Sequence, residues 1–293
     1  MEHVRYRLKG EDFNGAHHRW VQPPQVSYFV VTSDKHGNAN VTPTTMGTCI
    51  GQNFFSFTLS NRNIEDWDLD KHPYQEGIKQ GYCNLRETPE CVISYYGYDL
   101  LRESWIAAMP VPYGISEIDV MGLTPLPSEL VKPCGIAECP VNLEARVIHS
   151  HKLGSMWTHY ICEIMAMSVH KPLVESNDNG SLPGYGIMLA DPVFEVFIGK
   201  GDTPGRDNIR LEYARLDMNS LERCPEDIGC KDHWTGTFSQ WIGEEQTRGK
   251  LTNSDVERAL ELEALWAENR DPIGNSAVKS ELTLLLKKAV GKA

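Results

Sequence analysis

Short apolar and β-branched runs, separated by turn-forming residues, are the dominant pattern of residues 26–169. Runs of this kind, bounded by Gly, Pro, Asn or Asp, are typical of β-strands. The predicted strands are residues 27–32, 54–59, 90–96, 141–148 and 157–168. Many short strands with irregular turns between them indicate a closed or nearly closed β-barrel. A further apolar run covers residues 187–198, after a loop at 174–186 that is rich in Gly, Asn, Asp and Ser.

Helical signals are sparse within this strand-rich region. Residues 63–80 are polar, with tryptophan and several acids, and fit either a helix or a long excursion between strands. Residues 103–109 and 116–121 are predicted to be short helices. The region therefore remains mainly β.

The C-terminal part of the chain has a different, helical pattern. Ser254 and Glu257 have the spacing of a capping box and precede regularly spaced apolar residues, so a helix is predicted to begin there. A second helix is predicted at residues 277–290, with Lys287 and Lys288 near its end, where the helix dipole favours cations. We expect these helices to pack over the barrel or over a partner subunit.

The polar stretch HGNANVTPTTMG, at residues 36–47, interrupts two apolar runs. A hairpin turn is the simpler interpretation. The alternative is a place where the backbone comes close to a ligand, since small side chains permit close approach and Pro43 fixes one φ. The turn residues are concentrated at 34–37, and the residues suited to close approach are 40–45.

Composition limits the classes of partner. The chain has 293 residues, of which 41% are hydrophobic and 23% charged, and a formal net charge of −12. An acidic chain disfavours nucleic acid as the main partner, because phosphate binding requires a basic surface. No run of about 18 apolar residues predicts a membrane span, and the charged N-terminus is unlike a signal peptide.

The eight cysteines predict reduced thiols and a cytoplasmic location, since no secretory signal accompanies them. Cys134 and Cys139 form one close pair, and Cys224 and Cys230 form another. Neither pair has the two-residue spacing of a typical zinc knuckle. We therefore predict no metal site.

Three sequence blocks carry a resemblance to a known family. They are VVTSDKHG at 30–37 with NVTPTT at 40–45, KQGYCNLRETPECVI at 79–93, and IDVMGLTPLPS at 118–128 with VKP at 131–133 and ECPVNLE at 138–144. In order and spacing these blocks resemble the flavin reductase-like FMN-binding split-barrel proteins, which include the flavoredoxins. The resemblance covers residues 24–171, about half of the chain.

The resemblance implies a mainly β fold: a six-stranded antiparallel split β-barrel, followed by a C-terminal helical extension. The implied organisation is a lead-in at 1–23, an FMN-binding split-barrel domain at 24–200, and an extension at 201–293 that is helical from about residue 253. It also implies a homodimer with FMN bound at the subunit interface. A phosphate requires hydroxyls, N–H donors and a cation, which is consistent with that cofactor.

Site residues follow from the resemblance position by position. Thr42, Pro43, Thr44 and Thr45 match the segment beside the flavin ring. Ser60, Asn61 and Arg62 match the loop around the ribityl chain and phosphate, and Arg62 is the preferred cation because its guanidinium binds two oxygens. The remaining implied contacts are Lys79, Gln80, Gly81 and Asn84.

The block that begins at Lys79 departs from the family pattern. Gln80 and Gly81 replace an aspartate and a threonine, so a hydroxyl that would contact the phosphate is missing. Either the Gly81 N–H takes over that contact, with Lys79 and Arg62 supplying charge, or FMN binds weakly.

Histidines near the later strands are candidates for proton handling. His149 and His151 alternate along a strand, so both rings face one side of the sheet. His159, two residues after Trp157, is the catalytic candidate because histidine titrates near neutrality. The simpler interpretation is that these are surface or edge histidines.

Four functions remain open at this point. The leading one is an FMN-dependent oxidoreductase, similar to flavin reductases, that uses NAD(P)H to reduce flavin or a small substrate. The others are a flavoredoxin-like electron carrier with a protein redox partner, a specialised enzyme in which bound flavin acts directly on a small organic substrate, and a binding protein without flavin.

Overall fold

The computed structural model describes residues 25–61, 78–154, 156–171, 187–190, 195–201, 209–215, 237–247 and 250–293. The predicted lead-in at 1–23, the polar stretch from Arg62 to residue 77 and the loop at 174–186 lie outside these residues.

The described strands form three antiparallel sheets. The strands are β1 Gln25–Val26, β2 Tyr28–Ser33, β3 Ala39–Thr44, β4 Gly47–Cys49, β5 Phe54–Ser60, β6 Glu90–Tyr95, β7 Pro125–Leu126, β8 Gly135–Ile136, β9 Val141–Leu153, β10 Trp157–Val169, β11 Ile187–Ala190, β12 Glu195–Gly201 and β13 Ile209–Arg215. The main sheet has the order β3-β2-β6-β9-β10-β5-β4, and β1 joins β11, β12 and β13 in a second sheet. Strands β7 and β8 pair with each other.

Six α-helices accompany the sheets in the described part of the chain. They are α1 Gln80–Glu87, α2 Leu101–Ala107, α3 Glu117–Met121, α4 Phe238–Thr247, α5 Asn253–Glu268 and α6 Ser276–Ala289. None of these helices has the length and apolar character needed to cross a membrane. Helix α1 has no counterpart in the sequence prediction, because Gly81 is a poor helix former and Lys79 does not resemble an N-cap.

The main sheet is a curled, split barrel with an opening between β3 and β4. These two strands are the opposite edges of the sheet, yet they follow each other in the chain. The chain crosses from one edge to the other at Thr45 and Met46, where the Thr58 N–H donates to the Met46 carbonyl at 2.8 Å. The predicted fold class is confirmed, although the sheet has seven strands and not six. The predicted turn at 34–37 is present, with the Gly37 N–H donating to the Asp34 carbonyl at 3.0 Å. Strand β3 and the start of β4 lie in the polar stretch 36–47, which was not predicted to form strands.

Two apolar cores lie on the two faces of the main sheet. The barrel interior contains Tyr28 and Val30 of β2 together with inward side chains of β5, β6, β9 and β10. Phe29 and Val31, the alternate residues of β2, pack with the helices on the outer face. Burial on both faces explains why β2 is a continuous apolar run and not an alternating one.

Helix α1 lies across the opening of the barrel. Gly81 faces Asn40 and Thr42 on one edge and Leu59 of β5 on the other side. Leu85, one turn later, packs into the barrel interior. Residues four apart share one helix face, so the face of α1 that carries Gly81 and Leu85 covers the opening of the barrel.

The C-terminal helices pack against the core on the outer face of the main sheet. Packing over the barrel was one of the two alternatives predicted from the sequence. Trp241, Trp266, Leu282 and Leu286 are buried in the same cluster as Ile118 of α3. Helix α5 begins where it was predicted, but its capping box is formed by Thr252 and Asp255 and not by Ser254 and Glu257. Helix α6 matches the prediction to within one residue at each end. The three domain bounds stay a prediction.

Candidate functional site

Three segments meet where α1 crosses the barrel opening: the edge strand β3, the end of β5 and the first turn of α1. The Lys79 N–H donates to the Asn61 carbonyl at 2.9 Å, which joins the last two of these segments. The Thr158 hydroxyl of β10 donates to Asn61 Oδ1 at 2.7 Å and anchors that side chain. The structure therefore brings Asn61, Lys79, Gln80 and Gly81 together. Arg62 lies outside the described residues.

Two buried amide nitrogens at this junction have no hydrogen-bond partner among the described residues. Asn61 is fully buried and Gln80 is 8% exposed, yet neither side-chain nitrogen has a hydrogen-bond partner among the described residues. Gln80 is fixed from its other end, because its Oε1 accepts from the Gly114 N–H at 3.1 Å. Leaving a buried polar group unsatisfied costs about 1–3 kcal/mol.

The start of α1 adds further positive potential. The N-cap residue, Lys79, makes no side-chain capping bond, and the first N–H groups of a helix have no partner within it. Removal of the Lys79 amine from water lowers its pKa to about 8, while the carboxylate of Glu117 acts in the opposite direction. In the described part of the chain, the start of α1 thus has two amide nitrogens without partners, an amine and an N-cap without a side-chain bond, which are the types of donor that bind a phosphate group.

Gly81 is required by the close approach of α1 to β3. A Cβ built on Gly81 lies 3.0 Å from Thr42 Oγ1 and 3.1 Å from Asn40 Oδ1. The space for a side chain at position 81 is therefore filled from β3, and the Thr42 hydroxyl stands beside the position where the family has a threonine. The presence of Gly81 where the family has a threonine therefore has a steric cause.

Asn84 and Glu117 support this site from behind. Asn84 is fully buried, donates to Thr32 at 3.1 Å and accepts from the Tyr113 hydroxyl at 3.2 Å. Glu117 accepts from Asn40 Nδ2 at 2.7 Å and from the Val41 N–H at 2.9 Å. Burial raises the pKa of Glu117, and these N–H groups and Lys79 oppose the rise. Both of its oxygens accept from N–H groups, and these bonds together with Lys79 favour the ionised form against the neutral form that burial favours.

Sequence reasoning missed Glu117 and Thr158. Glu117 lies 76 residues after Val41 in the chain, and an acidic residue in the first turn of a short helix normally has a simple explanation in the helix dipole. Thr158 is an ordinary strand threonine in the sequence. No local signal pointed to either residue, since both act through partners that only the fold brings near.

The segment 42–45 forms the rim of the opening. Thr42, Pro43, Thr44 and Thr45 are all half-buried. The Thr44 hydroxyl accepts from the Met46 N–H at 3.1 Å, and the Gly47 N–H donates to the Thr45 carbonyl at 3.0 Å. Ser60, also half-buried, pairs with Trp157 at the end of β5. The two local hydrogen bonds stabilise the connection between β3 and β4.

His159 lies on the outer face of β10, away from Asn61. Its Nδ1 is 3.0 Å from Thr58 Oγ1, and its ring lies 5.3 Å from that of His151, which is 5.7 Å from that of His149. Burial lowers the pKa of His159, as do His151 and His149. The catalytic role of His159 stays a prediction. No group of three or more His, Cys, Asp or Glu side chains in the described ranges is arranged to hold a metal ion.

Comparison with known proteins shows the fold. No family model matches the chain. The uncharacterized protein YdfE of Bacillus subtilis (strain 168) is 32% identical over 101 residues, or 30% of this chain and 49% of that protein. The chain thus spans about half the length of this curated relative.

Two solved structures have the same architecture at low sequence identity. Nitrilotriacetate monooxygenase component B from Bacillus cereus gives a TM-score of 0.52 at 16% identity, covering 73% of this chain and 97% of that one. A putative flavin reductase with a split barrel domain from Shewanella frigidimarina NCIMB 400 gives 0.51 at 14% identity, covering 72% and 100%. The chain therefore has the split-barrel fold of flavin reductase-like proteins.

The contact at Gly81 gives a prediction about stability. Gly81→Ala should destabilise the protein by roughly 1–3 kcal/mol, because the new Cβ overpacks against Thr42 and Asn40. Gly243→Ala is the matched control, since Gly243 is also helical and a Cβ there meets nothing within 4 Å. The control should be neutral or stabilising by up to about 1 kcal/mol. Urea unfolding measures both, and equal effects would contradict the close approach.

Proposed function

We propose that this protein is a flavoprotein oxidoreductase that binds FMN at the opening of the split barrel and uses a reduced nicotinamide nucleotide. The observation that carries the proposal is that the buried amide nitrogens of Asn61 and Gln80 have no partner among the residues that the structure describes, beside Lys79 at a helix N-terminus without a side-chain cap. A flavin mononucleotide carries a phosphate that satisfies such donors.

In this proposal the phosphate lies at the start of α1. Lys79 supplies the positive charge, and Asn61 and Gln80 supply directional N–H donors that neighbouring residues already hold in place. The half-buried rim at 42–45 lies beside the flavin ring, and its small side chains and Pro43 permit close approach of the backbone. FMN, when bound, supplies reversible two-electron chemistry.

The role of the chain is then to orient the ring and leave one face accessible. Thr42 to Thr45 keep part of their surface open to solvent, which suits docking of a nicotinamide or another planar acceptor. No acid or base is required for hydride transfer between two stacked rings, so orientation is the main contribution. His159 is retained as a candidate for proton handling in a direct reaction on an organic substrate.

One experiment separates the functions. The purified protein, reconstituted with FMN, is expected to show a bound flavin band that NADH or NADPH bleaches without oxygen. A yellow protein inert to both nucleotides would favour an electron carrier with a protein redox partner, or an enzyme acting directly on a small molecule. A colourless protein that ignores added FMN would contradict the proposal and favour a binding protein without flavin.

Lys79 gives a pH prediction for FMN binding. The pKa of Lys79 is lowered to about 8, so the affinity for FMN should have its full value below pH 8, where Lys79 is protonated. As the pH rises through 8 the affinity should fall, by up to about tenfold per pH unit. Lys79→Arg keeps its charge in this range and should remove most of the decline. Titrations at pH 7 and 9 measure the difference, and an identical decline in the Arg variant would contradict the role of Lys79.

We further propose a homodimer that uses the outer face of the β9–β10 hairpin. Leu153 and Trp157 are paired across the hairpin and are 45% and 40% exposed, next to the pair His151 and His159. Large exposed apolar side chains on one strand face are typical of an interface. A cytoplasmic location is also proposed, since the six described cysteines are thiols and not disulfides.

The hairpin face predicts the effect of a charge at its centre. Trp157→Arg should shift the protein from dimer to monomer, because two-fold symmetry buries the new cation in an apolar contact. Ile273→Arg is the control, as Ile273 is 88% exposed and lies between α5 and α6. Sedimentation velocity reports the oligomeric state. Dimerisation of the Trp157 variant at wild-type concentrations would place the interface elsewhere.

A further inference from the structure

Glu117 makes contacts that the proposed function does not explain. It is 3% exposed, and its two oxygens hold two groups of the edge strand β3: Asn40 Nδ2 at 2.7 Å and the Val41 N–H at 2.9 Å. A glutamine at position 117 would also accept from Val41. A carboxylate is costly to bury, so its specific contribution must lie in what a glutamine lacks: a charge that fixes the direction of the contact with Asn40 and that raises the pKa of Lys79.

The carboxylate determines how the Asn40 amide is oriented. Asn40 directs its Nδ2 toward Glu117, which is the orientation that an ionised carboxylate requires, because it accepts hydrogen bonds and donates none. Its Oδ1 then faces the other way, where the Thr42 hydroxyl lies at 3.4 Å. An amide oxygen cannot donate, so the single proton of Thr42 is directed at Asn40. The direction of the hydrogen bonds from Thr42 to Glu117 is thus imposed by one charge.

We propose that Glu117 is a positioning residue of the FMN site: through Asn40 it directs the Thr42 proton away from the ligand, so that Thr42 presents an acceptor and no donor. This inference rests on the proposed function. Thr42 stands at the site itself, since its Oγ1 is 3.0 Å from a Cβ built on Gly81 and the residue is half-buried. The ligand group it selects is a hydrogen-bond donor, either the ring N–H or a ribityl hydroxyl of FMN.

Glu117→Gln reverses the chain of hydrogen bonds while retaining its shape. The amide oxygen of the introduced glutamine accepts from Val41, so its amide nitrogen faces Asn40. Asn40 then turns its oxygen toward position 117 and its nitrogen toward Thr42, which frees the Thr42 proton for the ligand side. FMN affinity should fall about tenfold, as for loss of one buried hydrogen bond. Thr42→Val, which removes the hydroxyl, should cause a similar loss.

Two double variants separate positioning from a general structural role. Adding Glu117→Gln to Thr42→Val should cost less than about twofold more, because the two residues act through one contact. Combining Asn40→Asp with Glu117→Gln moves the carboxylate one place along the chain of hydrogen bonds and restores its direction, so affinity should return to within about threefold of wild type. Losses that multiply to about 100-fold, or failure of the second double variant to recover, would overturn the proposal.

Ligand analogues and a ligand-free measurement complete the test. If the loss in Glu117→Gln disappears with N3-methyl FMN, the ring N–H is the selected donor; if it persists, a ribityl hydroxyl is. In the ligand-free protein, the Asn40 side-chain amide resonances should move in Glu117→Gln and hardly change in Thr42→Val. An unchanged Asn40 signal in Glu117→Gln refutes the positioning role, even where wild-type protein fails to bind FMN and the proposed function itself is rejected.

Discussion

The unclosed edge of the barrel is the constraint on which the rest of the structure depends. A sheet edge inside a protein exposes backbone N–H and C=O groups that must find partners. Here the β3 edge is covered in two ways: the Val41 N–H is bound by Glu117, and the mouth beside it is closed by α1. The latter requires a residue without a side chain at Gly81, since Asn40 and Thr42 already fill that space.

Covering the edge in this way creates the candidate site. Asn61 and Gln80 are each held by other partners, Thr158 and Gly114, and their nitrogens remain buried without partners within the described ranges. In the proposed FMN complex the phosphate satisfies these groups, so the complex is expected to be more stable than the apo protein. The proposal therefore couples binding and stability at the same residues.

The C-terminal helices take part in this arrangement although they lie outside the barrel. Trp266 of α5 donates to the Tyr113 carbonyl at 2.7 Å, and the Tyr113 hydroxyl reaches Asn84 of α1. The next residue, Gly114, holds Gln80. Helix α5 is thus connected through Tyr113 and Gly114 to α1, so the C-terminal extension supports the residues of the candidate site.

The amino-acid pattern was sufficient to predict five strands of the main sheet, a β-barrel and the C-terminal helices, because these depend on local periodicity and on turn residues. The split form of the barrel was implied by the resemblance to a known family. The same resemblance also pointed to Asn61, Lys79 and Gln80 through the order of short blocks. The tertiary structure alone decided the seventh strand, helix α1, the reason for Gly81, and the roles of Thr158 and Glu117. Each of these depends on contacts between residues far apart in the chain. Contacts at the sheet edge and at the barrel opening give no periodic pattern of apolar residues from which they could be predicted.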